Sequence, residues 1–303
     1  MAVNKKINSL EISAVLYEEL NKYLLKKDKL PKVVDISIGN DFAGQMYSKM
    51  KEKKITTNTL IDFISIHLNE ISDMELIKYI NRLNADQNIT GIMLQLPLPN
   101  HTKEQERKIL DMINVYKDVD GLTSIAAGAL ATQKDTLIPC TPLGIETLLK
   151  SYDISLAGKK VAILNRSNIV GKPLAELMLR NNATPIICHS KTKDLANITR
   201  DCDIVVAALN KQEFITADYI KPGAIVIDVG VHKNTLGKTV GDVNFNDVYD
   251  KVSLITPPIG AVGPMTICML AYNSAKSLYG SEVNEVLETG IIKAKRLVKE
   301  KSK

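Results

Sequence analysis

Ala162-Ile163-Leu164-Asn165-Arg166-Ser167-Asn168-Ile169-Val170-Gly171-Lys172-Pro173 is the stretch that decides the fold. Residues 161–164 are an apolar, strand-forming run, and the chain reads as helix from Lys172 onward. A turn of this kind points backbone N–H groups and a helix N-terminus at one place, a natural seat for a phosphate. The usual dinucleotide spacing asks for three glycines, of which Gly171 alone is present, so the turn taken by itself also fits a plain strand–helix connection.

Working outward from this turn, residues 185–188, 204–207, 224–229 and 252–255 are further short Val/Ile-rich runs. Each is separated from the next by enough chain for a helix or crossover. Continuous apolar runs suit strands buried on both faces, so this half is expected to be doubly wound and parallel. The second of its strands runs into Cys188-His189-Ser190-Lys191. A NAD-preferring site wants a carboxylate there, on the ribose hydroxyls. Hydroxyl and cationic donors stand there instead, with Arg166 in the first turn, and they favour the 2′-phosphate of NADP. His189 reads as a strand end without chemistry of its own.

Upstream, apolar residues recur at helical spacing over 8–27 (Leu10, Ile12, Val15, Leu16, Leu20, Leu24). Residues 33–38 read as a strand, with Asn40 or Asp41 placed to cap a helix carrying Tyr47 and Lys51. A second strand is expected over 60–68 and a third over 91–96, stopped by Pro97. Ser72-x-x-Glu75 and Thr102-x-x-Gln105 are capping boxes, opening helices to about residue 83 and about residue 113. Thr141-Pro142 suits a cap and first helical position near the boundary between the halves. Residues 264–278 read as a long apolar helix. The basic tail from Lys293 to Lys303 reads as a solvated, fraying helix end, with an anion-attracting patch as the other reading.

The chain has 303 residues, 45% of them hydrophobic, enough for two domains with sizeable cores. A formal net charge of +5, with both signs interspersed, argues against a nucleic-acid surface. No apolar run approaches the roughly 18 residues of a membrane span. The start, Met-Ala-Val-Asn-Lys-Lys-Ile, lacks a signal-peptide core. Cys140, Cys188, Cys202 and Cys268 are scattered, so neither a disulfide nor a zinc site is expected, and a cytoplasmic setting fits.

The chemistry is concentrated in three segments: Tyr47-Ser48-Lys49-Met50-Lys51, Gln95-Leu96-Pro97-Leu98-Pro99 and Lys117-Asp118-Val119-Asp120-Gly121. Together they offer a lysine, a phenol, an amide and a carboxylate, a set able to hold a polar heterocycle and move protons on it. Tyr47 and Lys51 share a helix face. Lys51 alone would read as a solvated helix lysine. Gln95, however, sits at the end of an apolar strand, where ligand sites of open sheets gather and a buried amide needs a partner. The Tyr-x-x-x-Lys spacing is also that of short-chain dehydrogenases, but there the pair follows the nucleotide-binding half, whereas here it precedes it.

In this order, these motifs resemble the bifunctional 5,10-methylenetetrahydrofolate dehydrogenase / 5,10-methenyltetrahydrofolate cyclohydrolase family. Pro139-Cys-Thr-Pro, Arg166-Ser-x-x-Val-Gly-x-Pro, Lys221-Pro-Gly-Ala-Ile-Val-Ile-Asp-Val-Gly, Val240-Gly-Asp-Val and Val262-Gly-Pro-Met-Thr extend the likeness over about residues 7–278. The resemblance implies a two-domain α/β fold with a cleft between the domains. One is an N-terminal α/β catalytic domain, residues 1–139 completed by the C-terminal helix at 270–303. The other is a Rossmann-like doubly wound NADP-binding domain, residues 140–269. It implies oxidation of methylenetetrahydrofolate with NADP, then hydrolysis to 10-formyltetrahydrofolate, in one-carbon metabolism and purine biosynthesis. It also implies a homodimer. Lys51 would be the active-site lysine, its amine partly neutral through burial. Tyr47 would lie against the folate, Gln95 would be the lysine's partner, and Asp120 would hold the pterin amine edge. Leu96, Pro97, Gly263 and Thr266 would line the folate. Thr141, Asn165, Arg166, Ser167, Ile169, Ser190, Ala208 and Val231 would serve the cofactor.

The chain departs from the family pattern at four places. Asn165 stands where the family usually has glycine, a family glycine near Asn210 is missing, Ile259-Gly260-Ala261 replaces a Pro-Gly-Gly run, and Gly44 replaces a serine. Asn tolerates positive φ, so turn geometry could be kept. Most of the changes fall on the cofactor side, which raises the alternative of a cyclohydrolase with weak or lost dehydrogenase activity or altered cofactor preference. A non-catalytic folate- or nucleotide-binding regulator would have no need of Lys51.

Overall fold

In the computed structural model, residues 5–39 and 42–301 are described. The expected caps Asn40 and Asp41 and the tail residue Lys303 lie outside them. The chain divides into two compact units. One comprises Leu16–Cys140 with Ile267–Gly290, and the other Thr141–Thr266 with the segments up to Val15 and from Ile291.

The first unit follows an alternating pattern. After α1 (Ser9–Leu24) come β1 (Lys32–Ile38), α2 (Phe42–Asn58), β2 (Asp62–Leu68), α3 (Asp73–Ala85), β3 (Gly91–Leu94), α4 (Lys103–Leu110) and α5 (Ser124–Ala131). The three strands are parallel in the order β2-β1-β3, with Val33 beside both Phe63 and Gly91. β1 is central, and its five inner residues are buried. Both capping boxes form: Ser72 accepts from Glu75 N and Thr102 from Gln105 N, while Glu75 and Gln105 reach back to the cap amides. The helix α5 was not expected. Its Ala-rich stretch lacks a polar face to set its period, and it is marked only by Thr123, which accepts from Ala126 N. Val34, Ile36, Leu76, Ile80, Ile92 and Leu110 anchor the core of this unit, each worth about 1.5–3 kcal/mol of burial.

The second unit continues with α6 (Cys140–Ser151), β4 (Lys160–Leu164), α7 (Gly171–Arg180), β5 (Thr184–Ile187), α8 (Leu195–Arg200), β6 (Ile204–Ala207), β7 (Ile225–Asp228), a hairpin β8 (His232–Lys233) with β9 (Thr239–Val240), α9 (Phe245–Val248) and β10 (Leu254–Ile255). Two long helices, α10 (Gly263–Tyr279) and α11 (Glu282–Lys301), end the chain. The five parallel strands are ordered β10-β7-β6-β4-β5. Counted within the unit this is 5-4-3-1-2, a doubly wound sheet whose order reverses between β4 and β6. The N-terminal segment belongs here because Ile7 N donates to Ile255 O and Ile255 N to Lys5 O, extending the sheet beyond β10.

Two local expectations are corrected. Thr141 does not cap α6, which starts one residue earlier at Cys140, so Pro142 takes the third helical position rather than the first. The basic tail does not fray: α11 is continuous to Lys301, with Lys295 and Lys299 both paired to Asp153 and Lys301 to Glu11.

Gly171 opens α7 where a Cβ would meet Asn165 O at 2.1 Å and Asn165 C at 2.4 Å, backbone atoms that cannot yield. Gly171→Ala is expected to cost about 2–3 kcal/mol by overpacking, read as a lower urea midpoint. Gly158→Ala, where the Cβ meets open space but φ is +75°, should cost less.

Candidate functional site

Lys51 is the least ordinary residue of the first unit. On α2 it shares a stripe with Ser48 and Ile55, the face turned to the sheet, and is 1% exposed. It is therefore not a solvated helix lysine. Its Nζ stands 3.4 Å from Asp35 Oδ2, 3.6 Å from Met93 Sδ and 5.0 Å from the centre of the Tyr47 ring. Asp35, in the middle of β1, is fully buried. Gln95 is the first residue past β3. Its amide N–H donates to Ile36 O at 2.8 Å, and its Nε2 donates to Asp35 Oδ1 at 2.6 Å. The order is thus Gln95–Asp35–Lys51: the amide orients the carboxylate, which faces the amine. Asp35 was passed over in the sequence. The signal was there, since an acid inside Val33-Val34-Asp35-Ile36 needs a partner for the reason that Gln95 does.

Asp120 lies in the turn after Val119. Gly121 follows at φ +66°, packed so closely that a Cβ would meet Ile138 C at 2.7 Å. Asp118 holds the turn by accepting from Thr123 N at 2.7 Å. Loss of hydration pushes the Asp120 carboxyl up to about 6, with Lys51 pulling the other way and the carboxylates Asp118 and Asp35 adding to the rise. Tyr47 leaves 41% of its surface open, yet desolvation around its hydroxyl, then Asp120, pushes it up to about 12. Cys140, named in the sequence only as part of a boundary motif, closes this group. It is buried, its thiol is held protonated by burial and by Asp120, and Asn273 donates to its Sγ, to Val119 O and to Ile138 O. Leu96 and Pro97, joined by a cis peptide, follow Gln95.

In the second unit the turn after β4 is polar and open. Arg166, Ser167 and Ile169 are exposed and Asn165 is half-buried. Asn165 Nδ2 donates to Ala208 O at 2.7 Å, across the point where the strand order reverses. Beyond β5, Ser190 and Lys191 are exposed and no acid stands at the strand end. The donors available to a cofactor are therefore hydroxyls, an amide, backbone N–H groups and cations, which fit a dinucleotide carrying an extra phosphate. The loop after β6 is held from below: Asp242, fully buried, accepts from Leu209 N (2.6 Å), Asn210 N (3.2 Å), Lys211 N (2.7 Å) and His232 Nε2 (2.8 Å). Asn210 takes a left-handed backbone, φ 55°, a conformation asparagine tolerates better than most non-glycine residues, whereas Asn165 does not. Val231 and Ile259 are largely exposed. Thr141 and Thr266 hydrogen-bond to each other at 3.0 Å, and both, like Gly263, belong to this unit rather than to the group around Lys51.

Fold and site together define a two-unit α/β enzyme with a dinucleotide-binding sheet. Comparison with known proteins makes this specific. Residues 4–120 match the family model "Tetrahydrofolate dehydrogenase/cyclohydrolase, catalytic domain", and residues 139–281 match its "NAD(P)-binding domain". The chain belongs to the tetrahydrofolate dehydrogenase/cyclohydrolase family. It is 46% identical over 277 residues to "Bifunctional protein FolD" of Clostridium botulinum, covering 90% of this chain and 97% of that one. The crystal structure of the bifunctional methylenetetrahydrofolate dehydrogenase/cyclohydrolase of Campylobacter jejuni is similar at 42% identity and a TM-score of 0.85, covering 89% of this chain and 97% of its own. The Trypanosoma brucei enzyme, solved with NADP and an inhibitor, is 30% identical with a TM-score of 0.84, covering 93% and 99% respectively.

The buried pair makes a thermodynamic prediction. Lys51→Met leaves Asp35 buried and without its cation, and Asp35→Leu leaves the amine likewise. Each is expected to destabilise by about 3–5 kcal/mol, while the double variant should recover most of that loss. Denaturant melts of the four proteins test it; simple additivity would refute a direct pair.

Proposed function

We propose that this chain oxidises 5,10-methylenetetrahydrofolate with NADP to the 5,10-methenyl cation and then hydrolyses that cation to 10-formyltetrahydrofolate. What carries the reading is the chain Gln95–Asp35–Lys51, with Asp35 and Lys51 sealed from solvent beside Tyr47 and Asp120. A non-catalytic binder has no use for a buried amine set against a buried carboxylate.

Asp120 is the anchor for the pterin. Its ionised form accepts the paired N–H edge of an aminopterin. Tyr47 offers an open aromatic face, with its hydroxyl kept protonated and able to donate. Bound NADP would supply the hydride acceptor for the one-carbon bridge, and for that the protein's part is positioning more than acid–base help. Arg166 and Ser190 would hold its 2′-phosphate, with Thr141, Ser167, Ile169, Ala208 and Val231 around the remainder. Lys51 then serves hydrolysis. Water adds to the cationic carbon and releases one proton to solvent; the ring C–N bond then opens as the remaining hydroxyl proton passes to the leaving nitrogen and the formyl C=O forms, with Lys51 relaying these protons while Asp35 holds the amine in place and Gln95 fixes Asp35. Leu96 and Pro97, directly after Gln95, complete the folate contacts of this unit. The reading brings with it a cytoplasmic one-carbon enzyme that supplies formyl groups for purine biosynthesis, and a homodimer, which sedimentation would test.

Lys51→Met is expected to lower cyclohydrolase turnover by at least about a hundredfold while leaving folate affinity within a few-fold, measured by methenyl absorbance decay and by equilibrium titration. Persistence of hydrolysis would remove Lys51 from its role. For pH, Asp120 titrates at about 6 in the free protein and binds as the carboxylate. kcat/KM for methylenetetrahydrofolate should therefore be reduced below that pH, rise through it and level off above. Asp120→Asn should be slower throughout and lack this limb. NADP should be preferred over NAD in initial rates.

A further inference from the structure

The turn that opens α7 already contains its own acceptor. Asn165 Oδ1 takes the N–H groups of Ser167 at 2.7 Å and Gly171 at 3.2 Å. Ser167 takes two more: its Oγ accepts from Val170 N at 3.1 Å and its carbonyl from Lys172 N at 3.0 Å. These are the donors that a helix start leaves open and that a phosphate would otherwise satisfy. Val170, at the cap position, supplies no side-chain bond of its own. The other end of the same carboxamide donates to Ala208 O at 2.7 Å, fastening this turn to the β6 loop. Asn165 thus ties the two loops together, with its oxygen serving two amides and one N–H of its carboxamide spanning the gap between two strands.

We propose that the Asn165 carboxamide is a built-in competitor for the cofactor's pyrophosphate. It fills the anion cradle at the start of α7, and NADP gains the amides of Ser167 and Gly171 only by displacing it. Asn165 therefore sets cofactor affinity and is a specificity-determining residue rather than one that touches reacting atoms. This deepens the assignment of a dinucleotide to this turn and rests on it. The exchange is physically asymmetric. A pyrophosphate oxygen is charged and forms stronger bonds to backbone N–H than a neutral amide oxygen does. The carboxamide, however, is tethered and pre-placed, so it holds the cradle at no translational cost. Because Asn165 does not take a left-handed backbone, alanine fits there without strain.

The test compares wild type, Asn165→Ala and Asn165→Asp with two probes. NADP carries a pyrophosphate; 2′-AMP carries the 2′-phosphate and adenosine but no pyrophosphate. The expected result is NADP binding about fivefold tighter in Asn165→Ala, roughly the worth of one net hydrogen bond, with 2′-AMP unchanged. Asn165→Asp should weaken NADP more than 2′-AMP, because its charge is fixed in the cradle. The midpoint of Asn165→Ala without ligand should fall, and NADP should raise it by more than it raises wild type. NADP binding to Asn165→Ala that is unchanged or weaker, measured against 2′-AMP, overturns the proposal, since a purely structural Asn165 gives that outcome. If the alanine variant does not fold, Asn165→Gly decides by the same ratio. Should wild type bind neither probe, the assignment of the dinucleotide to this turn is what fails.

Discussion

A lysine ammonium is expensive to remove from water, and α2 removes one completely. Lys51 lies where a helix ordinarily places a leucine, and the protein tolerates it because β1 brings a carboxylate to the same depth. An isolated charge at such a position costs several kcal/mol, and even a pair recovers that cost only with good geometry and further hydrogen bonds. The fold of the first unit can be read as the means of supplying them. The parallel order β2-β1-β3 makes β1 central, paired along both edges, and Asp35 in its middle is fully buried. The end of β3 lies alongside, so that Gln95 reaches the oxygen of Asp35 that Lys51 does not face.

The same burial gives the neighbouring groups their properties. With water thinned around it, Asp120 is displaced upward to about 6, close enough to neutrality for proton and ligand equilibria to matter in the working range. Cys140 is held as a thiol, and its sulfur is a weak partner rather than a nucleophile. Asn273, reaching from α10, fixes the carbonyls of Val119 and Ile138 on either side of this group. A late segment of the chain thus finishes a site built from the early one, a reason for α10 to pack with the first unit once it has passed Thr266.

Much of this could be read from residues alone. Alternating Val/Ile runs and helical spacings gave both parallel sheets, and two capping boxes placed helix starts to the residue. The chemistry of Tyr47, Lys51, Gln95 and Asp120 stood out because polar groups in apolar settings demand partners. Asp35 is marked only by its charge in an apolar run, because β1 is buried on both faces and shows no period-two contrast. α5 escaped because Ala-rich helices carry no polar face. The hairpin of β8 and β9 is two residues a side and leaves too short a pattern to detect. The tail's lysines suggested solvent. Only the fold shows that Asp153, at φ 58° just beyond α6, lies within reach of Lys295 and Lys299.

The two sheets share a construction that neither motif reveals by itself. In each, the strand order reverses beside a central strand, and successive crossovers leave on opposite faces, so the chain parts there at the carboxyl ends. In each, the first residue past a strand bordering that reversal is a carboxamide reaching across it. Gln95 follows β3 and donates to Asp35 on β1; Asn165 follows β4 and donates to Ala208 after β6. An amide suits this place because it offers a donor and an acceptor on separate atoms without carrying charge. A carboxylate cannot donate. What distinguishes the two ends is what each amide meets. Gln95 meets a charge and orders it, so its sheet gains a proton-handling pair. Asn165 meets neutral backbone and folds its oxygen onto a helix start, so its sheet gains a turn that is ordered before any anion arrives.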